Sequence, residues 1–199
     1  MISLSPDTVR RNLERIREEV GDEVTIVAAT KYVSLEEMAV LGEAGVAVVG
    51  ENRAQDLAAK HDRYGHRFRW HFIGHLQSRK AKVVNETCEL VHSLASESAA
   101  RRLAVPTLVE VNLSGEATKS GIAPDDLGAF LALYDDVRGL MTMPPLADDP
   151  EESRPYFRRL RELAREHGLR ELSMGTSQDY RVAVEEGATL IRVGSTLWG

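Results

Sequence analysis

Eight short apolar runs alternate with amphipathic stretches along the whole chain, and that alternation limits the possible folds more than any other feature. The runs are Val24–Thr30, Val46–Gly50, Trp70–Ile73, Leu90–Leu94, Thr107–Asn112, Val137–Met141, Glu171–Met174 and Leu190–Val193. Their length and β-branched content read as buried strands. Between them the periodicity is helical, near Leu35–Ala44, Ala54–Lys60, Ser78–Val84, Glu97–Leu103, Asp125–Tyr134, Glu152–His167 and Asp179–Glu186. Such alternation implies right-handed crossovers and a parallel sheet. A further helix opens the chain over Pro6–Val20, with Ser5 as N-cap, Pro6 at the first position and Gly21 as terminator.

Eight strand–helix units predict a closed (β/α)8 TIM barrel, with an open doubly wound sheet as the competing arrangement. An open sheet of that kind carries a glycine-rich turn after its first strand. Here that place holds Thr30-Lys31-Tyr32. The barrel is therefore expected, as one domain over residues 1–199 with an extra N-terminal helix. At 199 residues the chain is shorter than the usual ~250 of such barrels, so its connections must be tight.

Composition excludes several classes of function. At 43% hydrophobic and 28% charged, the chain can bury a substantial core. A net charge of −6 argues against a nucleic-acid or anionic-membrane partner. The single cysteine, Cys88, rules out an internal disulfide framework, and its acidic neighbours should raise its pKa. No apolar run nears the ~20 residues of a membrane span, and the N-terminus lacks the layout of a signal peptide. The expectation is a cytoplasmic protein, monomeric, with a small-molecule ligand and no metal. The six histidines show no close ligand spacing.

In a closed barrel, functional groups gather at the C-terminal ends of strands, and phosphates sit in the loops after strands seven and eight. Lys31 follows strand one. An ammonium at the mouth of a buried strand is a poor packing choice. Burial of an amine disfavours its charged form and suits it to Schiff-base chemistry with an aldehyde. Strand two ends at Gly50-Glu51-Asn52, and strand three carries His71 and runs into Gly74-His75. Strands five and six end at Asn112 and Met141. Ser173-Met174-Gly175-Thr176-Ser177 and Arg192-Val193-Gly194-Ser195-Thr196 lie at the phosphate position. Glycine lets backbone amides approach an anion, hydroxyls complete the shell, and the helix starting near Asp179 points its positive end there. Lysine plus phosphate cup suggests pyridoxal 5′-phosphate. Arg192 refines this, because an arginine beside a pyridine nitrogen leaves the ring unprotonated and weakens it as an electron sink.

Each residue also has a structural explanation. Lys31 could be a solvated cap above the barrel, and Asn52 a helix N-cap. His71, between Trp70 and Phe72, fits a hydrogen-bonded core histidine. Met141, Met143 and Met174 fit as core fillers. Arg79-Lys80-Ala81-Lys82 fits a solvated helix face. Their convergence on one barrel face favours the functional reading.

The chain resembles the pyridoxal phosphate homeostasis protein family, single-barrel relatives of the alanine racemase N-terminal domain. The matching stretches run in order along nearly the whole chain. They are Ala28-Ala29-Thr30-Lys31, Gly50-Glu51-Asn52-Arg53-Ala54-Gln55, Trp70 to Ser78, Lys119-Ser120-Gly121, Arg138 to Met141, Leu172 to Asp179 and Ile191 to Ser195. The resemblance implies that Lys31 forms the internal aldimine. It assigns the phosphate to Ser177, Gly194 and Ser195, the pyridine nitrogen to Arg192, and the pocket lining to Asn52, Met141 and Met174. Tyr32, His75, Arg79 and Thr176 depart from the family pattern without removing a cofactor-holding group. The implied role is vitamin B6 homeostasis, holding the cofactor without appreciable turnover and handing it on to apoenzymes that depend on it. The alternative is an amino-acid racemase. Racemases with this barrel add a C-terminal β-domain bearing a second base, and the chain's end at Gly199 argues against that arrangement.

Overall fold

The computed structural model describes residues 4–116, 119–134 and 136–199. Met1 to Ser3, where the N-terminal segment begins, lie outside the described residues. The elements in order are α1 Pro6–Val20, β1 Thr25–Ala29, α2 Met38–Glu43, β2 Val48–Glu51, α3 Ala54–Tyr64, β3 Arg69–Phe72, α4 Ala81–Thr87 and β4 Leu90–Leu94. There follow α5 Glu97–Ala100, β5 Thr107–Glu110, α6 Leu127–Leu131, β6 Val137–Met141, α7 Arg154–Glu166, β7 Glu171–Thr176, α8 Tyr180–Glu185, β8 Leu190–Val193 and α9 Ser195–Trp198. All eight strands are parallel and close into a barrel, β1 pairing with β8 through Val27 opposite Arg192. The expected (β/α)8 architecture is the one observed.

Strand parity sorts the side chains into two layers. Val27, Val48, Leu90, Leu108, Met141 and Leu190 meet inside the barrel. Their neighbours in sequence, such as Ile26, Val49, Val109, Leu140 and Ile191, point outward and pack under the helices. The same rule fixes Met174. Ser173 before it faces inward, so Met174 faces outward and is fully buried in the outer layer. α7 shows how a helix covers that layer, burying Phe157, Leu160, Leu163 and Ala164 at helical spacing. Gly139 allows the close passage of β6 and β7, since a Cβ there would stand 1.9 Å from the Glu171 carbonyl oxygen.

α1 starts at Pro6 as expected, although Ser5 makes no side-chain cap bond, and it ends where Gly21 takes φ 80°. It seals the closing strands from outside. Asn12 Nδ2 donates to the Leu197 carbonyl at 3.1 Å, joining α1 to α9. Cys88 is buried, and burial rather than its acidic neighbours pushes its thiol up to about 12.

Among the described residues, one ion pair is buried on both sides. Glu51, at the end of β2, is fully buried and accepts from Lys60 Nζ and from Thr30 Oγ1 at 2.6 Å. Lys60 Nζ also donates to the Thr30 carbonyl at 2.8 Å. This knot fixes the corner after β1, immediately before Lys31. Removing one partner of such a pair strands the other charge in a low-dielectric interior. Lys60→Met should therefore lower stability by about 3–5 kcal/mol. Adding Glu51→Gln should restore much of the loss, and urea unfolding of the single and double variants checks both.

Candidate functional site

A cavity of about 630 Å³ opens at the C-terminal end of the barrel. Every strand or its following loop contributes to its wall. Lys31 and Tyr32 follow β1, Asn52 follows β2, and Ile73 to His75 follow β3. Glu110 ends β5, Met141 ends β6, and Thr176 to Gln178 continue β7. Arg192, Gly194, Ser195 and Trp198 close the ring from β8 and α9.

The cup expected after β7 and β8 has a definite geometry. Gly175 takes φ 90°, a conformation that L side chains rarely adopt, and the chain turns there to present Ser177. Ser177 Oγ accepts from Gly194 N at 3.0 Å and from Thr196 N at 3.2 Å. Two backbone amides and a hydroxyl thus converge on one point, with Ser195 exposed beside them. Amides gathered this way suit an anion. The helix after β7 contributes less than expected. Asp179 Oδ1 already takes Thr176 N at 2.7 Å and Thr176 Oγ1 at 3.0 Å, placing a negative charge at that end.

Arg192 is 6% exposed and contacts no carboxylate among the described residues. It donates to Ser173 Oγ, to the Thr142 carbonyl at 3.1 Å and to the Met143 thioether. Burial pulls its guanidinium down to about 10, still well above neutrality, so it remains a cationic donor. Behind it runs a chain of buried groups. Ser173 Oγ lies 2.7 Å from His92 Nδ1, and His92 Nε2 lies 2.9 Å from His71 Nδ1. Arginine can only donate, so Ser173 accepts from it; with the serine proton directed to His92 Nδ1, His92 carries its own proton on Nε2 and donates to His71. Burial holds His71 down to about 4 and His92 well below the usual histidine range. Both imidazoles are neutral, as the chain requires, and His71 is the core histidine expected.

Four expectations need correction. Lys31 is exposed rather than buried, its Nζ lying 4.8 Å from the centre of the Tyr32 ring. Tyr32, itself 84% exposed, stands over the mouth and gives the ammonium an aromatic face. Met174 is absent from the cavity wall, for the reason of parity given above. Asn112 does not face the cavity either. Its Nδ2 donates to the Glu116 and Lys119 carbonyls at 2.9 and 3.4 Å, folding the loop after β5 upon itself. β5 stops at Glu110, which takes the place in the wall that Asn112 was expected to fill. Asn52 lines the cavity, but the cap of α3 is Arg53, so Asn52 is no helix cap. Glu110, Ser93 and Trp198 carry no signal read from the sequence, and Ser120 figures there only within a matching stretch. Extending the inward parity of Leu108 by two residues would have found Glu110.

Residues 4–199 match the alanine racemase N-terminal domain family. The pyridoxal phosphate homeostasis protein of Aquifex aeolicus is 38% identical over 195 residues, covering 87% of this chain and 86% of that protein. The protein of the same name from Deinococcus radiodurans is 39% identical over 189 residues, covering 88% of each. PipY of Synechococcus elongatus, solved with PLP bound, superposes with a TM-score of 0.86 at 32% identity, covering 96% of this chain and all of PipY. The alanine racemase of Corynebacterium glutamicum shares the fold, with a TM-score of 0.74 at 16% identity over 62% of its own length. The chain belongs to the alanine racemase N-terminal domain family, and within it to the pyridoxal phosphate homeostasis proteins.

The buried histidines make stability depend on pH in a definite direction. Each is neutral in the folded protein but takes a proton near pH 6.5 once unfolded, so the unfolded state binds more protons as pH falls. Stability is complete above about pH 6.5 and declines toward pH 4, by roughly 1.4 kcal/mol per pH unit for each histidine. Glu110, raised by burial, acts in the opposite sense over the lower part of this window. Urea midpoints between pH 7.5 and 5 should fall, and His92→Gln should flatten the slope. Equal slopes in the two proteins would contradict the neutral chain.

Proposed function

We propose that this protein binds pyridoxal 5′-phosphate at the barrel mouth and serves its homeostasis, holding the cofactor and releasing it to apoenzymes without appreciable turnover. The reading rests above all on one juxtaposition. A primary amine, a convergent anion cup and an unpaired arginine line the same cavity. PipY, with its PLP, adds support from a relative of 32% identity.

The residues fit that ligand. Ser177, Gly194 and Ser195, with the Thr196 amide, take the phosphate. Arg192 points a donor that cannot give up its proton toward an aromatic nitrogen acceptor. Asn52 and Met141 bound the ring, and Met174 supports the strand behind it from the outer layer. Lys31 supplies the amine, exposed and reachable by an incoming aldehyde, with Tyr32 beside it. Bound pyridoxal phosphate supplies an aldehyde that condenses reversibly with amines. Arg192, anchored by Ser173 and kept cationic by the nearby charges of Asp179 and Glu110 against the effect of burial, would leave the ring nitrogen unprotonated, which favours storage over carbanion chemistry. In this reading the protein acts in the cytoplasm as a monomer. Among the described residues, no helix is long and apolar enough to cross a membrane.

Borohydride treatment of the loaded protein followed by peptide mapping should place a pyridoxyl group on Lys31. Label on another lysine, with Lys31 clean, would end that assignment. Ser177→Ala should weaken pyridoxal phosphate roughly tenfold or more, since charge-assisted hydrogen bonds contribute ~1.5–3 kcal/mol each. Unphosphorylated pyridoxal should be affected far less, and equal losses would put the phosphate elsewhere.

The racemase alternative makes an opposite prediction. Deuterium exchange at Cα of L-alanine and other L-amino acids, with chiral analysis of the products, should show at most a trace rate. Turnover on the order of 1 s⁻¹, within the ordinary enzyme range, would replace the carrier reading with the racemase one.

A further inference from the structure

Across the cavity from Lys31 lies a buried carboxylate that meets no cation among the described residues. Glu110 ends β5, four strands from β1 in a ring of eight, so the two residues occupy opposite walls. Glu110 is only 9% exposed. Ser120 Oγ donates to its Oε2 at 3.0 Å. Among the described residues no group donates to Oε1, and unlike Glu51 Oε2 this oxygen is not sealed from solvent. It opens into the cavity. A buried carboxylate is costly unless something cationic or donating meets it. Burial accordingly pushes the carboxyl above its ordinary range, while Ser120, Arg192 and His75 draw it back.

The half of the cavity around Glu110 is distinct from the phosphate cup. His75 is close enough to act on its charge, Ser93 lines the wall from the neighbouring strand β4, and Met141, opposite Glu110 in the β5–β6 ladder, provides apolar wall. A cavity of 630 Å³ is in the range of drug-sized ligands, leaving space beyond a single phosphorylated ring. We propose that Glu110, held by Ser120, is a subsite for the ammonium group of a small amino compound with an unbranched chain, such as a basic amino acid. Carboxylate Oε1 receives the N–H donors, and Met141, opposite Glu110 in the β5–β6 ladder, faces the methylenes. One available oxygen, with Oε2 committed to Ser120, suits a compact ammonium. A guanidinium fork needs both oxygens. The alternative is that Glu110 merely balances the charge of Arg192, and it makes different predictions.

The test is isothermal titration of the full chain, free of cofactor, with inorganic phosphate filling the cup. The result is thereby independent of pyridoxal phosphate binding, and failure of one reading leaves the other standing. L-lysine should bind at least tenfold more tightly than L-norleucine, which has the same chain without the terminal ammonium; one charge-assisted hydrogen bond is worth about that much. Nε-acetyl-L-lysine should bind no better than norleucine, and L-arginine should fall below lysine. In Glu110→Gln, which still offers Ser120 an acceptor, the preference for lysine over norleucine should shrink to within about twofold. Equal binding of lysine and norleucine by the parent protein, or no binding of lysine, overturns the proposal. So does a lysine preference that survives Glu110→Gln. The acetyl-lysine comparison needs no variant, so the proposal stays exposed even if Glu110→Gln folds poorly.

Discussion

The pairing of β1 with β8 is the constraint on which everything else rests. It joins residues more than 160 positions apart in sequence and sets Val27 against Arg192. Without it the anion cup would sit on a sheet edge and Lys31 on another. With it, the amine after β1 and the amides after β8 line one cavity. Closure also removes the exposed strand edges that an open parallel sheet would have to protect. α1 reinforces the seam from outside, where Asn12 reaches α9.

Closure has a second consequence, because it makes the barrel interior a scarce space in which every polar group must be satisfied. Part of the interior is apolar, from Val27 to Leu190. The strands set polar groups against these same residues, Arg192 opposite Val27, Ser173 opposite Leu190 and His71 opposite Leu90, with His92 bonded between Ser173 and His71. A buried arginine ordinarily finds a carboxylate. This one finds a hydroxyl, a carbonyl and a sulfur, all acceptors and none charged. The full positive charge therefore stays uncompensated by direct contact and faces the cavity. Glu51 and Lys60 solve the opposite problem on the outer side of β1 and β2, where a mutually neutralised pair ties down a corner and presents no charge to a ligand.

Much of this was legible in the sequence because periodicity and glycine placement are local signals. The eight apolar runs gave the strands to within about two residues at their ends, and the glycines at 175 and 194 marked the cup. What escaped detection depends on where a strand stops and which way its last residue points. Asn112 and Glu110 differ by two positions, so parity treats them alike; the stop of β5 at Glu110 decides which one reaches the cavity. Met174 lies beside a register irregularity in β7, between Ser173 and Thr176, and only the inward pose of Ser173 shows that Met174 faces out. Lys31 was expected to be buried because its strand is buried. The chain leaves the barrel at Thr30, and the lysine follows it into solvent. The Glu51–Lys60 pair could not have been read from spacing, since it joins a strand end to the far side of a helix.

The exposure of Lys31 strengthens the carrier reading through a different route from the one that suggested it. A deeply buried lysine would be an active nucleophile but hard to reach and hard to release from. In the proposed reading, an exposed one beside Tyr32 meets a free aldehyde and yields it again. The same cavity keeps its fixed features at the other end, where backbone amides and a neutral histidine chain set the positions of Ser177 and Arg192. In the proposed reading, a fixed anion cup joined to an accessible amine suits capture and exchange. On the same reading, an arginine facing the ring nitrogen would leave it unprotonated and so a weaker electron sink for chemistry at the carbon beside the amine. The division between a fixed cup and an open lysine thus follows from the fold, which buries one end of the cavity in strands and leaves the other on a loop.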